Sequence, residues 1–244
     1  MHYKGKIVIG ITGGIGSGKT RVLELLKNNY DVLVIEADKI GHKLQKPNEE
    51  VYKKIVKAFG TCILEDTESN DNVEIDTLVE KKADKEKTYK EKTDKEKTEE
   101  EKTNNIDKKI DRKKLGALVF ADESKLKLLN SITHPAIHQY IEKLISGECN
   151  KKLIFVEAAI LTETSLINLT DLVWYIYSDI DVRIERLEKY RGISKERALN
   201  IITNQPAEND FRKKCDMVID NSFSDENTLR QLKFAIKMIQ EEYL

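Results

Sequence analysis

The chain has few cysteines, no excess of either charge, no long apolar run and no leader-like start. Cys62, Cys149 and Cys215 are its only three cysteines, widely spaced and without a CxxC pair. That set excludes a disulfide framework and points to buried thiols in a reducing compartment. Lys and Arg number 42 against 43 Asp and Glu, for a net charge of -1. No global basic field argues for nucleic acid, and no acidic balance argues for a solvating role. No apolar run approaches the roughly 18 residues a membrane helix needs. The opening MHYKGKIVIGIT turns strand-like at once, so no signal or transit peptide is expected. These absences predict a cytoplasmic protein with neither nucleic acid nor membrane as partner. What is present is a 39% apolar, 35% charged chain of 244 residues, long enough for a core in one or two domains.

One segment stands apart. Residues 84 to 105, DKEKTYKEKTDKEKTEEEKTNN, repeat every five residues on Lys-Thr, at Thr88, Thr93, Thr98 and Thr103. Tyr89 is its only apolar residue, so burial cannot offset the entropy of ordering it. It is too short and polar for a solenoid, and reads as a low-complexity insertion over about 66–108, disordered or weakly helical. Around it, short apolar runs alternate with helical patterns. KIVIGIT (6–12), VLVIEAD (32–38), LIFVEAA (153–159), LVWYIYS (172–178) and MVIDN (217–221) read as buried strands. Helices are predicted over 21–29, 49–59, 112–120, 124–145, 181–190, 194–204 and 225–242. In the last, Leu229, Leu232, Phe234, Ile236 and Ile239 form an apolar face, with Asp225 as N-cap. Strand–helix alternation without hairpin signals predicts a doubly wound α/β fold.

GGIGSGKT, from Gly13 through Gly14, Ile15, Gly16, Ser17, Gly18 and Lys19 to Thr20, fits the phosphate-loop pattern G-x-x-x-x-G-K-[ST] at every position. A strand precedes it and the amphipathic RVLELLKN follows. Glycines let backbone N–H groups approach phosphate oxygens, and the helix N-terminus adds partial positive charge. Lys19 bridges β- and γ-phosphates in this pattern, and the Thr20 hydroxyl ligates Mg²⁺. The loop therefore predicts a nucleoside triphosphate, ATP, with Mg²⁺.

The acceptor side is less specific. Asp38 sits at the carboxyl edge of its strand, where open α/β sheets place ligands. It is a proton acceptor for an attacking hydroxyl, a metal partner or a helix N-cap. Glu157 occupies a similar edge, as a metal-site acid or a cap. His134 and His138 share an i, i+4 spacing, but no HExxH acid accompanies them and Pro135 lies between, so a metal role is disfavoured. Arg183, Arg186, Arg191 and Arg197 flank Gly192 on two short helices, either as a lid closing on a triphosphate or as a solvated face.

Taken in order, TGGIGSGKT, VIEADKIGHKL, IDRKKLGALVF, LNSITHPAI, VEAAILTE, RGISKERALNIITNQ and CDMVIDNS resemble the dephospho-CoA kinase family, over nearly the whole chain apart from the insertion. The resemblance implies a phosphate-loop three-layer sandwich on a five-stranded parallel sheet, with a helical substrate-binding region and a small lid. On this chain the core falls at about 6–38, 151–180 and 215–244, the helical region at 39–150 and the lid at 181–214. It implies ATP- and Mg²⁺-dependent phosphorylation of the 3′-hydroxyl of dephospho-CoA, the last step of coenzyme A synthesis. Asp38 then matches the base and His134-Pro135 the substrate-side HP pair, and Glu157, by its strand edge, is expected at the substrate site beside them. Arg186 matches a lid arginine, Arg191 stands one place beyond the position of another and is expected on ATP with it, and Gln205 closes the lid motif.

The chain also departs from the family. Glu36 stands where Asp is usual, and EAAILTE replaces a D-x-P-L-L-x-E stretch. Pro47-Asn48 replaces a Pro-Gly turn, and Tyr190 and Ile201 occupy positions that are often arginine. A kinase for a nucleoside monophosphate or another small acceptor is the nearest rival. A GTPase lacks support, since no guanine-reading N/T-K-x-D follows a strand. An interaction protein built around the charged repeat is the third class.

Overall fold

The computed structural model describes residues 3–66 and 108–243. Apart from its two end residues, the predicted insertion at 66–108 lies outside the described residues. The fold grows from five short apolar runs that become the strands of one parallel sheet. These are β1 (Ile7–Thr12), β2 (Val32–Glu36), β3 (Leu153–Glu157), β4 (Leu172–Tyr177) and β5 (Met217–Asp220). Their order is β2-β3-β1-β4-β5, with every pairing parallel. All six residues of β1 are buried, as a central strand covered on both faces requires.

Helices α1 (Lys19–Asn29) and α9 (Asp225–Tyr243) cover one face. Leu23 and Leu26 from α1 and Leu232, Ile236 and Ile239 from α9 join Ile7, Ile9, Ile11, Phe155 and Trp174 in the main core. Phe155 and Trp174 meet edge to face at 5.4 Å. Phe234 departs from the expected apolar face and is 64% exposed. At 100° per residue it falls off the stripe formed by Leu232, Ala235, Ile236 and Ile239. Asp225 is not the cap either. Ser224 Oγ accepts the Asn227 N–H at 3.4 Å, while Asp225, in the first turn, pairs with Arg21.

The second strand ends at Glu36, two residues earlier than expected, and α2 (Ala37–Leu44) begins at once. Ala37, Ile40, Gly41 and Leu44 repeat at i, i+3, i+4 and i+7 and are all buried, so helical amphipathicity wins over strand extension. The remaining helices are α3 (Glu50–Phe59), α4 (Arg112–Phe120), α5 (Glu123–Gly147), α6 (Ile180–Arg191), α7 (Lys195–Thr203) and α8 (Glu208–Lys213). The short α8 has no counterpart in the sequence expectations.

The chain divides into two compact units, one of Met1–Leu44 with Asn130–Leu244 and one of Gln45–Leu129. The larger holds the sheet. In the smaller, Leu64 and Ile110 form an antiparallel bridge, with Glu65 N–H donating to Lys109 O and Asp111 N–H to Ile63 O. The expectation of buried thiols fails for two cysteines: Cys62, just after α3, and Cys149, just after α5, are exposed, and Cys215 is half-buried.

Candidate active site

The loop after β1 turns on glycines that no other residue replaces easily. Gly16 and Gly18 have φ of 77° and 83°, in the left-handed region. A Cβ on Gly18 would also stand 2.3 Å from Asn221 Nδ2. Gly18 occupies the N-cap position of α1 and no side chain caps that helix. Its first-turn N–H groups are left to an anion, the arrangement by which helix N-termini hold phosphate. This fits the phosphates of a nucleotide.

Lys19 lies over the same loop and donates to Gly13 O at 2.8 Å. Its Nζ is 3.9 Å from the carboxylate of Glu157, which projects from the end of β3. Burial lowers the Lys19 pKa, the charges of Glu157 and Asp38 oppose that shift, and Arg191 and Arg183 add to it. Burial raises the Glu157 carboxyl against the pull of Lys19, while Asp38 and Glu36 reinforce the rise. Glu36 is registered directly opposite Glu157 in the β2–β3 ladder. Its own burial pushes it up, but hydrogen bonds from Lys39 and Lys27 outweigh that and hold it below the usual carboxylate range.

These groups share one cleft of about 980 Å³ in the larger unit, lined by Gly14 to Gly16 and Gly18 to Thr20 of the loop and by Asp38, Glu157, Arg186 and Arg191. Asp38 is exposed to the cleft from the first turn of α2. Lys39, Glu36, Tyr190 and Gln205 complete the wall beside them. Of the expected site residues, Gly13 and Ser17 lie in the loop without lining the cleft, His134 and Pro135 sit inside α5 away from it, and the others converge on it. That helix nevertheless packs on α2: Ile137 Cδ1 would stand 3.2 Å from a Cβ at Gly41, and Lys43 Nζ lies 2.5 Å from Tyr140 Oη.

The arginines after β4 divide into different settings. Arg183 Nε donates to Ile15 O at 2.8 Å and its Nη2 to Gln205 Oε1 at 2.7 Å. Gln205 Oε1 also accepts the Ile15 N–H at 2.9 Å, so the end of the α7 segment is tied to the tip of the loop. Arg186 donates to Ser17 O, Ser178 Oγ and Asn221 O at 3.2, 3.0 and 2.8 Å. Arg191 stands exposed on the cleft rim at the end of α6, where Gly192 turns the chain with φ 62°. Arg197 is exposed and outside the cleft. Ser178 and Asn221 escaped the sequence reading. The signal for both was position, since each directly follows the carboxyl end of a strand near the ligand edge.

Thr20 lines the cleft at the start of α1. Among the described residues no group of three or more His, Cys, Asp or Glu side chains is placed to hold a metal. A cation here therefore suits the Mg²⁺ pattern, few protein oxygens plus nucleotide phosphates, rather than a protein cage.

A parallel sheet with a glycine loop, a lysine and facing carboxylates at its carboxyl edge defines a phosphate-loop kinase. The dephospho-CoA kinase family model matches residues 7–90 and 82–227. A dephospho-CoA kinase from Oceanobacillus iheyensis is 32% identical over 229 residues, 93% of this chain and 94% of that one. The structure of a dephospho-CoA kinase from Campylobacter jejuni is 25% identical, with a TM-score of 0.52, covering 96% of this chain and 98% of that one. A Thermus thermophilus structure shares the fold at a TM-score of 0.69 and 23% identity, covering 96% of this chain and 98% of that one. The chain belongs to the dephospho-CoA kinase family.

Proposed function

We propose that this chain transfers the γ-phosphoryl group of ATP to the 3′-hydroxyl of dephospho-CoA, with Asp38 as the base. The observation that carries the assignment is the convergence of Asp38, Lys19 and Glu157 on the phosphate-loop cleft in a member of this family. The ribose oxygen attacks the γ-phosphorus, the bond from that phosphorus to the β–γ bridging oxygen breaks, and ADP leaves. Asp38 accepts the hydroxyl proton as the new P–O bond forms. The N–H groups of Gly16, Gly18, Lys19 and Thr20 hold the phosphates, those of Ile15 and Ser17 being bonded to Gln205 Oε1 and Gly14 O, and Lys19 neutralises charge between the β- and γ-groups.

Mg²⁺, when bound through the Thr20 hydroxyl and the nucleotide phosphates, supplies further charge neutralisation. Glu157 holds Lys19 in the cleft and flanks the acceptor. Arg191 approaches the phosphates from the rim. Arg186, with its donors turned to backbone and hydroxyl oxygens, serves the nucleotide through the loop. In this reading residues 39–150, including His134-Pro135 on α5, form the acceptor side, and 181–214 act as the lid. A cytoplasmic location goes with it.

An ATP-dependent assay offering dephospho-CoA beside nucleoside monophosphates tests the proposal, following ADP and CoA together. Equal formation of ADP and CoA supports it. Turnover with a nucleoside monophosphate and none with dephospho-CoA would replace it with the rival kinase reading.

A further inference from the structure

The carbonyl of Ser17 is gripped by three donors, more than any other loop carbonyl receives among the described residues. Ser178 Oγ reaches it at 3.1 Å, Arg186 Nη1 at 3.2 Å and Asn221 Nδ2 at 2.9 Å. Asn221 comes from the end of β5 and is only 2% exposed. Its own N–H is fixed to Tyr177 O at 2.8 Å, and its Oδ1 accepts from the hydroxyl of Thr228 at 3.0 Å. Thr228, on α9, is fully buried. The amide orientation is determined, because the Ser17 carbonyl only accepts and must face the NH₂ end.

We infer that Asn221, held by Thr228, is a positioning residue that aims the Gly18 N–H of the phosphate loop at the nucleotide. The peptide between Ser17 and Gly18 is planar and trans, so its C=O and N–H point in opposite directions. Anchoring the oxygen away from the cleft turns the Gly18 N–H the other way, and Gly18 itself lines the cleft. No hydrogen bond among the described residues uses that N–H. The φ of 83° that this peptide orientation requires at Gly18 is open to glycine, and the three donors hold it in place before any ligand arrives. Asn221 acts through the Ser17–Gly18 peptide and is not itself a catalytic residue. The inference rests on the reading that ATP phosphates lie in this loop.

Two variants of the full chain test it. Asn221→Ser removes the reach to Ser17, and Thr228→Val removes the hydroxyl that orients the amide without changing side-chain volume much. Calorimetric ATP titration, KM for each substrate and a thermal melt are measured for both. The expected result is an ATP Kd and KM raised about tenfold by Asn221→Ser and about threefold by Thr228→Val, the scale of one or two lost hydrogen bonds. KM for dephospho-CoA stays near wild type, and the double variant is less than additive because both changes act on one peptide. Unchanged ATP affinity in folded variants overturns the inference. So does a parallel loss for both substrates that tracks the melting temperature. Wild-type protein that binds no ATP would overturn the kinase reading and this inference with it.

Discussion

Lys19 and Glu157 face each other at the carboxyl edge of the sheet, Nζ to carboxylate at 3.9 Å, one from the start of α1 beyond β1 and the other from the end of neighbouring β3. Both are shielded from solvent, and burial works against the charge of each. Neither ion is comfortable without the other, and in the proposed reaction a nucleotide's phosphates give Lys19 a second partner. The pair is therefore a preorganised but costly arrangement at the point where phosphate charge arrives.

Glu157→Gln tests that cost through pH. The Glu157 carboxyl is raised above its ordinary value of 4.5. Between 4.5 and that raised value the folded protein binds more protons than the unfolded chain, so the group's contribution to stability falls as pH rises. Glu157→Gln removes this contribution. The stability of the variant relative to wild type should therefore improve steadily from pH 4.5 upward and level off once Glu157 is ionised. Thermal melts across pH, in the absence of nucleotide, measure the difference. A relative stability independent of pH would show that burial does not raise this carboxyl.

The chain on either side of residues 67–107 is already brought together. Tyr52 Oη donates to Lys108 O at 2.5 Å, and the Leu64–Ile110 bridge joins the two stems. A short Gly-Ser turn in place of 67–107 should leave the stem bridge intact, because closing a shorter loop costs less entropy. The replaced protein is expected to keep its melting temperature and its kinase activity within about twofold. Loss of turnover with dephospho-CoA, at unchanged ATP affinity, would assign the repeat a role in acceptor binding.

The three thiols should separate by reactivity. Burial, helped by the Asp216 carboxylate and opposed by Lys214, pushes the Cys215 thiol up to about 11. At pH 8 only about one Cys215 in a thousand is then thiolate, the reactive form. Cys62 and Cys149 are exposed. Timed iodoacetamide labelling with mass spectrometry should show those two modified well before Cys215. Equal rates at all three would contradict the burial of Cys215.

The strands and the phosphate loop were legible because each is set by local pattern: continuous apolar runs for strands buried on both faces, and glycine spacing for the loop. All seven helices expected begin within two residues of their predicted start, the first of them at Lys19, because Lys19 and Thr20 close the phosphate loop and open α1 at once. Helix α2 was not legible, because VLVIEAD satisfies a buried strand up to its last two residues and only the i, i+3, i+4, i+7 burial of Ala37 to Leu44 shows the change. The convergence of Asp38 and Glu157 with Lys19 could be anticipated from the carboxyl-edge rule. The Ser17 clamp could not, since Ser178, Arg186, Asn221 and Thr228 lie far from the loop in sequence and meet only through sheet order. His134 and Pro135 carry a family pattern, yet their helix contributes to packing on α2 rather than to the cleft wall.

Asp38, which α2 places on the cleft, is the carboxylate proposed to take the acceptor's proton. The direct measurement is the steady-state rate of ATP-dependent CoA formation by Asp38→Asn, paired with its ATP affinity. A general base contributes typically 10²- to 10⁴-fold, so kcat should fall by about that factor while ATP Kd stays near wild type. An undiminished kcat in the folded variant would contradict the assignment.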